Sequence, residues 1–194
     1  MAQSPFSKAV ILVADGMGNS VSHFSDEHPE KEFLKQEKAE AHESISFYLM
    51  DEGELTPISK AWRAEGGESP GEIYEKAAAK IFNNWQEAGK VMGLVAYGSH
   101  SEQYKDFEGV EKSGKKFFDN LSDEKFRNIA NYAAAVQFKF ESQLLESLSE
   151  VRKEFPDYNN LIFTGGCALN CLLNAKIAEM KLFENVHVPS FPND

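Results

Sequence analysis

Two glycine turns, one near each end of the chain, each follow a short run of apolar, largely β-branched residues. They are Asp15-Gly16-Met17-Gly18, after residues 9–14, and Gly165-Gly166, after residues 160–164. Such runs are typical of buried strands, and glycines at the end of a strand let the main chain approach a phosphate group closely. A helix leaving the second turn would direct its N-terminus at the same anion. The pattern therefore predicts that a nucleotide is held between the two turns.

Composition limits the classes of partner. The chain has 194 residues, of which 42% are hydrophobic, enough for one packed domain or two small ones. Its net charge of −11 argues against a nucleic-acid surface, which needs a basic face. The sequence contains no apolar run near the roughly 20 residues that span a bilayer, no signal-peptide pattern at its start, and two cysteines, too few for a disulfide framework. We expect a cytoplasmic protein that binds neither nucleic acid nor membrane.

Hydrophobic periodicity predicts the order of the elements. We expect strands at 8–14, 44–50 and 54–62, a returning strand over 20–24, a charged insertion over 25–43, a helix from Pro70 to about residue 82, a long helix capped by Ser122 that stops before Pro156, a strand at 160–164, a helix at 168–181 and a strand at 185–189. Three strands that can pair antiparallel, followed by helices and two further strands, resemble the ribonuclease-H-like layout. That α/β layout, helices on a mixed sheet, is the repeating lobe of the actin-like ATPase superfamily.

Short motifs go further than the layout. They occur in chain order at residues 4–6 (SPF) and 13–18 (VADGMG), 89–98 (GKVMGLVAYG), Gln137, 164–171 (TGGCALNC) with Asn174 and Lys176, and 189–194 (PSFPND). The stretch 89–98 resembles the K-x-M-G-L-A-x-Y-G signature of the O-carbamoyltransferase family, and 164–171 resembles its G-G-x-A-L-N-C motif. The chain is thus similar, over nearly its whole length, to the family that includes nodulation-factor and antibiotic carbamoyltransferases.

The resemblance implies a two-domain biosynthetic transferase. The N-terminal domain of such enzymes is a bilobal ATPase-like fold that holds iron or a similar divalent metal, and the C-terminal domain is of the YrdC type. Together they convert ATP and carbamoyl phosphate into carbamoyl-adenylate and transfer the carbamoyl group to a hydroxyl of a small-molecule acceptor. The alternatives are another ATP-dependent phosphotransferase of the actin-like superfamily, or a non-catalytic binding or assembly module.

The chain departs from the family pattern at both ends. The family's H-x-x-x-H metal motif would lie before the SPF segment, and the five histidines here do not reproduce its spacing. We therefore expect residues 1–194 to form a single ribonuclease-H-like lobe, without the first lobe and without the YrdC-like domain. Such a lobe should expose an apolar patch, self-associate, for example as a homodimer, or both. The pair Glu68-Ser69 replaces a family histidine and serine, which predicts altered substrate or phosphate contacts.

The resemblance assigns site residues but no catalytic residue or general base. By position, Asp15 and Asp194 match family metal ligands, and two carboxylates without the histidines predict weak metal binding or none. Nucleotide and phosphate contacts fall on Gly16, Gly18, Gly165, Gly166 and Asn170, with a second cradle at Lys90, Gly93 and Gly98. The alternatives are an Asx-type turn at Asp15, glycines that serve only close packing, and an exposed Lys90 before a buried segment 92–94.

Other prominent side chains favour structural roles. The spacing of Cys167 and Cys171 puts both on one face of the last helix, where we expect two small buried residues. Aromatic residues are expected mostly in the core: Trp62, Trp85, Phe117, Phe118 and Phe140, whereas Phe138 lies off the apolar face of the long helix. Gln137 either reaches a cleft or caps polar backbone.

Overall fold

The structure is a computed structural model that describes residues 4–21, 41–63, 68–99 and 122–192. Its elements are β1 (Lys8–Ala14), β2 (His42–Asp51), β3 (Glu54–Arg63), α1 (Pro70–Phe82), α2 (Ala88–Val95), α3 (Asp123–Glu154), β4 (Asn160–Thr164), α4 (Cys171–Met180) and β5 (Asn185–His187). The chain forms two compact units, the first made of residues 1–71 and 146–194 and the second of residues 72–145.

The first unit contains a mixed five-stranded sheet in the order β3-β2-β1-β4-β5. The strands β1, β2 and β3 form an antiparallel meander, while β4 pairs parallel with β1 and β5 parallel with β4. The β2–β3 hairpin turns at Glu52 and Gly53, whose φ angles of 47° and 90° are those of a two-residue turn matched to strand twist. The antiparallel pairing expected of the strands at 44–50 and 54–62 and the mixed α/β sheet are confirmed.

The centre of the sheet is its most apolar part. In β1, Ala9, Val10, Leu12 and Ala14 are fully buried, as expected for a strand with neighbours on both sides. Parallel pairing sets Val13 of β1 beside Thr164 of β4. Because the two strands run in the same direction, the turns that follow them leave from the same edge of the sheet.

Two of the three predicted helices are confirmed. Helix α1 runs from Pro70 to Phe82, with proline in the first turn where its missing N–H costs nothing. Helix α3 begins after Ser122, whose hydroxyl accepts from the Lys125 amide at 3.4 Å, and ends before Pro156. The buried face of α3 has helical spacing: Ile129, Ala130, Ala133, Phe140, Leu144, Leu148 and Val151.

The helix predicted at 168–181 is wrong at its start. A 3-10 turn over Gly166–Leu169 comes first, and α4 begins only at Cys171. Asn170 separates them because its backbone is extended, with φ −76° and ψ 97°, and its side-chain oxygen accepts from the Leu173 amide at 2.9 Å. Asn170 is therefore the N-cap of α4.

Two strand boundaries also differ from expectation. The strand predicted at 185–189 ends at His187. Strand β2 already begins at His42, so the end of the predicted charged insertion belongs to the sheet. Of the predicted returning strand, Ser20 makes one antiparallel bridge to His42. Residues 22–40, and with them most of the predicted insertion, lie outside the described residues.

Burial corrects several side-chain predictions. Cys167 is buried, but Cys171 is exposed, and the two belong to different elements because the chain bends at Asn170. Trp85 is 57% exposed rather than in the core, while Phe140 is buried. Phe138 is exposed, as its place off the apolar face of α3 indicated. Phe117 and Phe118 lie outside the described residues.

Among the helices that the structure describes, none combines the length and the apolar character needed to cross a membrane.

Candidate functional site

The two glycine turns meet at the carboxyl edge of the sheet, and Asp15 connects them. One oxygen of its carboxylate accepts from the Gly16 amide at 2.7 Å, and the other accepts from the Gly166 amide at 3.2 Å. Hydrogen bonds to an ionised carboxylate are stronger than those between neutral groups. Asp15 therefore does more than shape its own turn, because it links the end of β1 to the end of β4.

The backbone of β2 holds the first turn on one side. The Gly18 amide donates to the Glu43 carbonyl at 2.8 Å, and the Asp15 amide donates to the Ser44 carbonyl at 3.1 Å. In return, the Glu43 amide donates to the Asn19 carbonyl at 3.0 Å. The turn is thus an extension of the β1–β2 pairing, so its position depends on where the start of β2 lies.

The start of α1 holds the first turn on another side. The Ser69 hydroxyl, which is fully buried, donates to the Gly16 carbonyl. A Cβ atom added at Gly71 would lie 2.4 Å from the Gly16 amide nitrogen, so the two backbones are in direct contact. The N-terminus of α1 therefore approaches Gly16, where its dipole favours a negative charge. Ser69 meets the turn from inside the protein, and being fully buried it has no surface to offer to a ligand.

Gly165 in the second turn is required by packing. Its φ and ψ of 91° and 168° lie in a region that essentially only glycine adopts. A Cβ atom there would lie 2.3 Å from the Ala14 carbonyl oxygen. The Gly165 amide and the Thr164 hydroxyl both donate to the Pro192 carbonyl, at 2.8 and 3.0 Å. Close packing, the alternative considered for these glycines, thus accounts for Gly165 by itself.

All four glycine amides of the two turns are already engaged. Those of Gly18 and Gly165 donate to backbone carbonyls, and those of Gly16 and Gly166 donate to the Asp15 carboxylate. The protein thus places its own carboxylate between two backbone N–H groups, each of which donates to one of its oxygens. A phosphate oxygen could accept from the same two amides where the carboxylate now does.

Asn170 is buried behind the second turn, and its side-chain oxygen serves α4 as described above. The Asn174 side chain donates to the Ala168 carbonyl at 2.8 Å, and the Asn174 amide donates to the Asn170 carbonyl at 3.1 Å. Asn170 and Asn174 of the motif therefore have structural roles. They fix the 3-10 turn that carries the chain from Gly166 to α4.

The stretch 89–98 lies in the second unit. Lys90 pairs with Glu87 at 2.8 Å on an exposed face of α2, and Gly93 is exposed as well, so the segment 92–94 is not buried. Gly98 lies against α3, because a Cβ atom there would be 2.0 Å from the Ala130 carbonyl oxygen. The next residue, Ser99, donates its amide to the Asn131 side chain at 2.8 Å. Packing against α3 therefore accounts for Gly98.

The described residues do not by themselves fit a metal centre. Asp15 supplies one carboxylate, and Asp194 lies outside the described residues. Across residues 4–21, 41–63, 68–99 and 122–192, no three histidine, cysteine or acidic side chains come together as metal ligands would. A divalent ion normally needs several oxygen or nitrogen ligands.

The sequence left two roles open for Gln137, which were to reach a cleft or to cap polar backbone. In the structure its side chain bonds to two other side chains. The Tyr74 hydroxyl donates to its side-chain oxygen, and its side-chain nitrogen donates to the Glu141 carboxylate at 2.7 Å. All three residues are buried in the second unit. Buried polar groups of this kind fix one arrangement of a core because each depends on its partner.

A charged cluster next to the first turn was not predicted from the sequence. Its members are Glu43, Ser46, Tyr48 and Lys60. The Lys60 ammonium group, whose side chain is fully buried, lies 2.6 Å from the Glu43 carboxylate and 2.6 Å from the Tyr48 hydroxyl. The Ser46 hydroxyl donates to the same carboxylate. Burial acts to lower the pKa of Lys60, but the hydrogen bonds and charges of Glu43 and Tyr48 outweigh it and raise that pKa above its usual value. In the sequence, Lys60 is one polar residue of a hairpin strand.

Known proteins share parts of this sequence. A family model described as the carbamoyltransferase N-terminus matches residues 1–194. A 3'-hydroxymethylcephem-O-carbamoyltransferase of Streptomyces clavuligerus is 29% identical over 119 residues, which are 56% of this chain and 23% of that protein. Nodulation protein U of Rhizobium tropici is 44% identical over 48 residues, which are 25% of this chain and 8% of that protein. The matched regions thus span less than a quarter of either relative.

Proposed function

This chain belongs to the carbamoyltransferase N-terminus family, and we propose that it binds the nucleotide in an enzyme that transfers a carbamoyl group to a hydroxyl. The enzyme would use ATP and carbamoyl phosphate, with carbamoyl-adenylate as the activated intermediate. In the transfer, the carbamoyl carbon exchanges its bond to a phosphate oxygen for a bond to the acceptor oxygen. AMP leaves as an anion, and the acceptor, a small molecule, releases its hydroxyl proton to solvent.

One observation carries this proposal: the Asp15 carboxylate bridges the amides of Gly16 and Gly166 at the ends of two parallel strands. Ligands of open α/β sheets bind outside the carboxyl ends of the strands. Backbone N–H groups that converge on one anion are a common way to hold phosphate. The order β3-β2-β1-β4-β5, with its antiparallel meander, also supports a ribonuclease-H-like lobe of the actin-like superfamily.

In this proposal the chain's own groups bind and orient the phosphates. The amides of Gly16 and Gly166 would turn from Asp15 to a phosphate oxygen, and the N-terminus of α1 next to Gly16 would favour the added charge. Preorganised donors of this kind stabilise negative charge that develops in a transition state. Gly18, Gly165 and Asn170 would hold the two turns in place, while Lys90, Gly93 and Gly98 are proposed as a separate contact.

A metal ion of the family would supply charge neutralisation on the phosphates. Because the described residues contribute only the Asp15 carboxylate toward it, we assign that ion no step. Asp194 is proposed as its second carboxylate ligand.

The test is an ATP titration followed at individual backbone amides by NMR. We expect the amides of Gly16 and Gly166 to shift most, since they would change acceptor, while the amide of Gly53 in the hairpin turn serves as an internal control. The variant Asp15→Ala should abolish the bridging of the turns, and Asp51→Ala, at an exposed carboxylate, should bind ATP like the parent protein. ATP binding that leaves Gly16 and Gly166 unshifted would rule out this site.

A second assay addresses the reaction. Because we expect residues 1–194 alone to be inactive, a full-length protein that contains them together with the first lobe and the YrdC-type domain is supplied with ATP, carbamoyl phosphate and a hydroxyl acceptor such as a 3'-hydroxymethylcephem. Both carbamoylated and phosphorylated products are measured. We expect only the carbamoyl ester. A phosphorylated acceptor would instead support the phosphotransferase alternative.

A further inference from the structure

The buried cluster around Lys60 lies directly behind the first glycine turn. Glu43 belongs to both structures, because its carboxylate accepts from Lys60 at 2.6 Å while its backbone carbonyl accepts from the Gly18 amide at 2.8 Å. The neighbouring Ser44 carbonyl accepts from the Asp15 amide. A displacement of Glu43 would therefore move the turn that carries Asp15, Gly16 and Gly18.

Stability alone gives little reason for such a cluster. A buried ion pair must recover the cost of removing two charges from water, and replacement of such pairs by uncharged residues often leaves proteins equally stable. What a buried pair does provide is a fixed position, because each charged group is held by its hydrogen-bond partners. Glu43 is thereby held at one position by Lys60 and Ser46.

The cluster also lies on the outermost pair of strands. Lys60 belongs to β3, which forms one edge of the sheet, and it faces inward. An inward-facing charge on an edge strand can protect that edge from pairing with another chain. That is the competing explanation, and it makes a different prediction from a role in the site.

We propose that Lys60 and Glu43 are positioning residues, which fix the start of β2 so that Asp15, Gly16 and Gly18 are held ready for the phosphate of the nucleotide. The consequence for ligand binding rests on the proposed function, whereas the consequence for the turn does not. Neither residue touches the ligand. Their effect is transmitted through the hydrogen bond between Glu43 and Gly18.

The experiment removes both charges and keeps the shapes. The double variant Glu43→Gln/Lys60→Met retains an oxygen acceptor for the Ser46 hydroxyl. Its matched control is Asp51→Asn/Lys8→Met, which makes the same two chemical changes in an exposed pair 3.7 Å apart at the opposite end of β1 and β2. Three quantities are measured for each protein: urea unfolding, hydrogen exchange at the amides of Gly18 and Gly165, and the Kd for ATP.

We expect the first double variant to unfold at the same urea concentration as the parent, to exchange the Gly18 amide about tenfold faster with Gly165 unchanged, and to bind ATP about tenfold more weakly. The control pair should resemble the parent in all three. Gly18 exchange at the parent rate would overturn the proposal, and so would parent-like exchange combined with self-association, which would assign Lys60 to edge protection.

Two further outcomes are separable. Should the double variant fail to fold, Tyr48→Phe removes only one hydrogen bond from Lys60 and should give a smaller acceleration at Gly18; no acceleration there would contradict the proposal. Should the parent not bind ATP, the proposed function is wrong, and Gly18 exchange in the variants still decides whether the cluster positions the turn.

Discussion

At the scale of single residues, Gly165 meets two steric requirements that an alanine substitution can separate. Gly165 has a positive φ and also contacts the Ala14 carbonyl, whereas Gly53 has a similar φ of 90° with nothing within 4 Å of an added Cβ. We expect Gly53→Ala to lower the free energy of unfolding by about 1 kcal/mol, through backbone strain alone. Gly165→Ala should lower it by roughly 3 kcal/mol or more, because β1 and β4 must also separate. Urea unfolding measures both, and equal losses would mean that the contact with Ala14 is readily relieved.

The raised pKa of Lys60 predicts how stability depends on pH. A group whose pKa is higher in the folded protein stabilises it fully below the unfolded pKa, which for lysine is about 10.4. That contribution is lost as the pH rises through the folded pKa. The parent protein should therefore lose more stability than Lys60→Met as the pH rises above about 10.4. Urea unfolding at increasing pH gives the difference between the two proteins, in which the titration of lysines and tyrosines that do not contact Lys60 cancels. Parallel curves would show that Lys60 gains nothing from Glu43 in the folded state.

Residues on the candidate site differ in how far the sequence predicted them. Asp15 and the glycines stand out because a carboxylate and two glycine turns after apolar runs are rare local patterns. Lys60 does not, because its burial depends on Glu43 and Tyr48, which pair with it only once the hairpin forms. The sequence marks Asn170 as part of a motif but not as the N-cap of α4, and the same error placed Cys167 inside that helix.

At the scale of elements, Gly93 and Gly98 have different surroundings and allow a contrast within the second unit. Gly93 lies in α2 with open space around it, so Gly93→Ala should raise the free energy of unfolding by about 0.5–1 kcal/mol through helix propensity. Gly98→Ala should lower it, because its Cβ would meet the Ala130 carbonyl of α3.

The same pair tests the proposed contact of this stretch with the nucleotide. If Gly93 serves close approach of a ligand, Gly93→Ala should weaken ATP binding while it stabilises the protein. Stabilisation without any change in the Kd for ATP would remove Gly93 from the proposed site. Calorimetry of unfolding and an ATP titration on the same samples supply the two numbers.

Elements with strong local signals were predicted well. Proline in the first turn fixed the start of α1 at Pro70, and the pair Glu52-Gly53 fixed the hairpin. The 3-10 turn at Gly166–Leu169 was not predicted, because its residues have the apolar content of a helix and the interruption is set by contacts from Pro192 and Asn174 elsewhere in the chain.

At the scale of the whole molecule, the motifs predicted the family, and the match of residues 1–194 confirms it. The acceptor could not be predicted, since the relatives that match include both a cephem carbamoyltransferase and a nodulation protein. A shared motif fixes the part of the chemistry that is common to a family. Acceptor specificity depends on side chains that differ between its members.

The net charge of the protein predicts how ATP binding depends on salt concentration. At −11, the protein repels ATP, and the repulsion extends about one Debye length from the surface. Backbone amides and helix N-termini act only over short distances and carry no net charge. Raising the salt concentration from about 20 mM to about 200 mM should therefore strengthen ATP binding severalfold, chiefly through a faster association rate, with a smaller effect for the magnesium complex of ATP. Stopped-flow association at several salt concentrations measures this. Lys90, proposed above as a separate contact, is paired with Glu87 and so adds little net attraction. Weaker binding at high salt would mean that the attraction of Lys90 for the phosphates exceeds the repulsion by the net charge, and Lys90→Met would then reverse the trend.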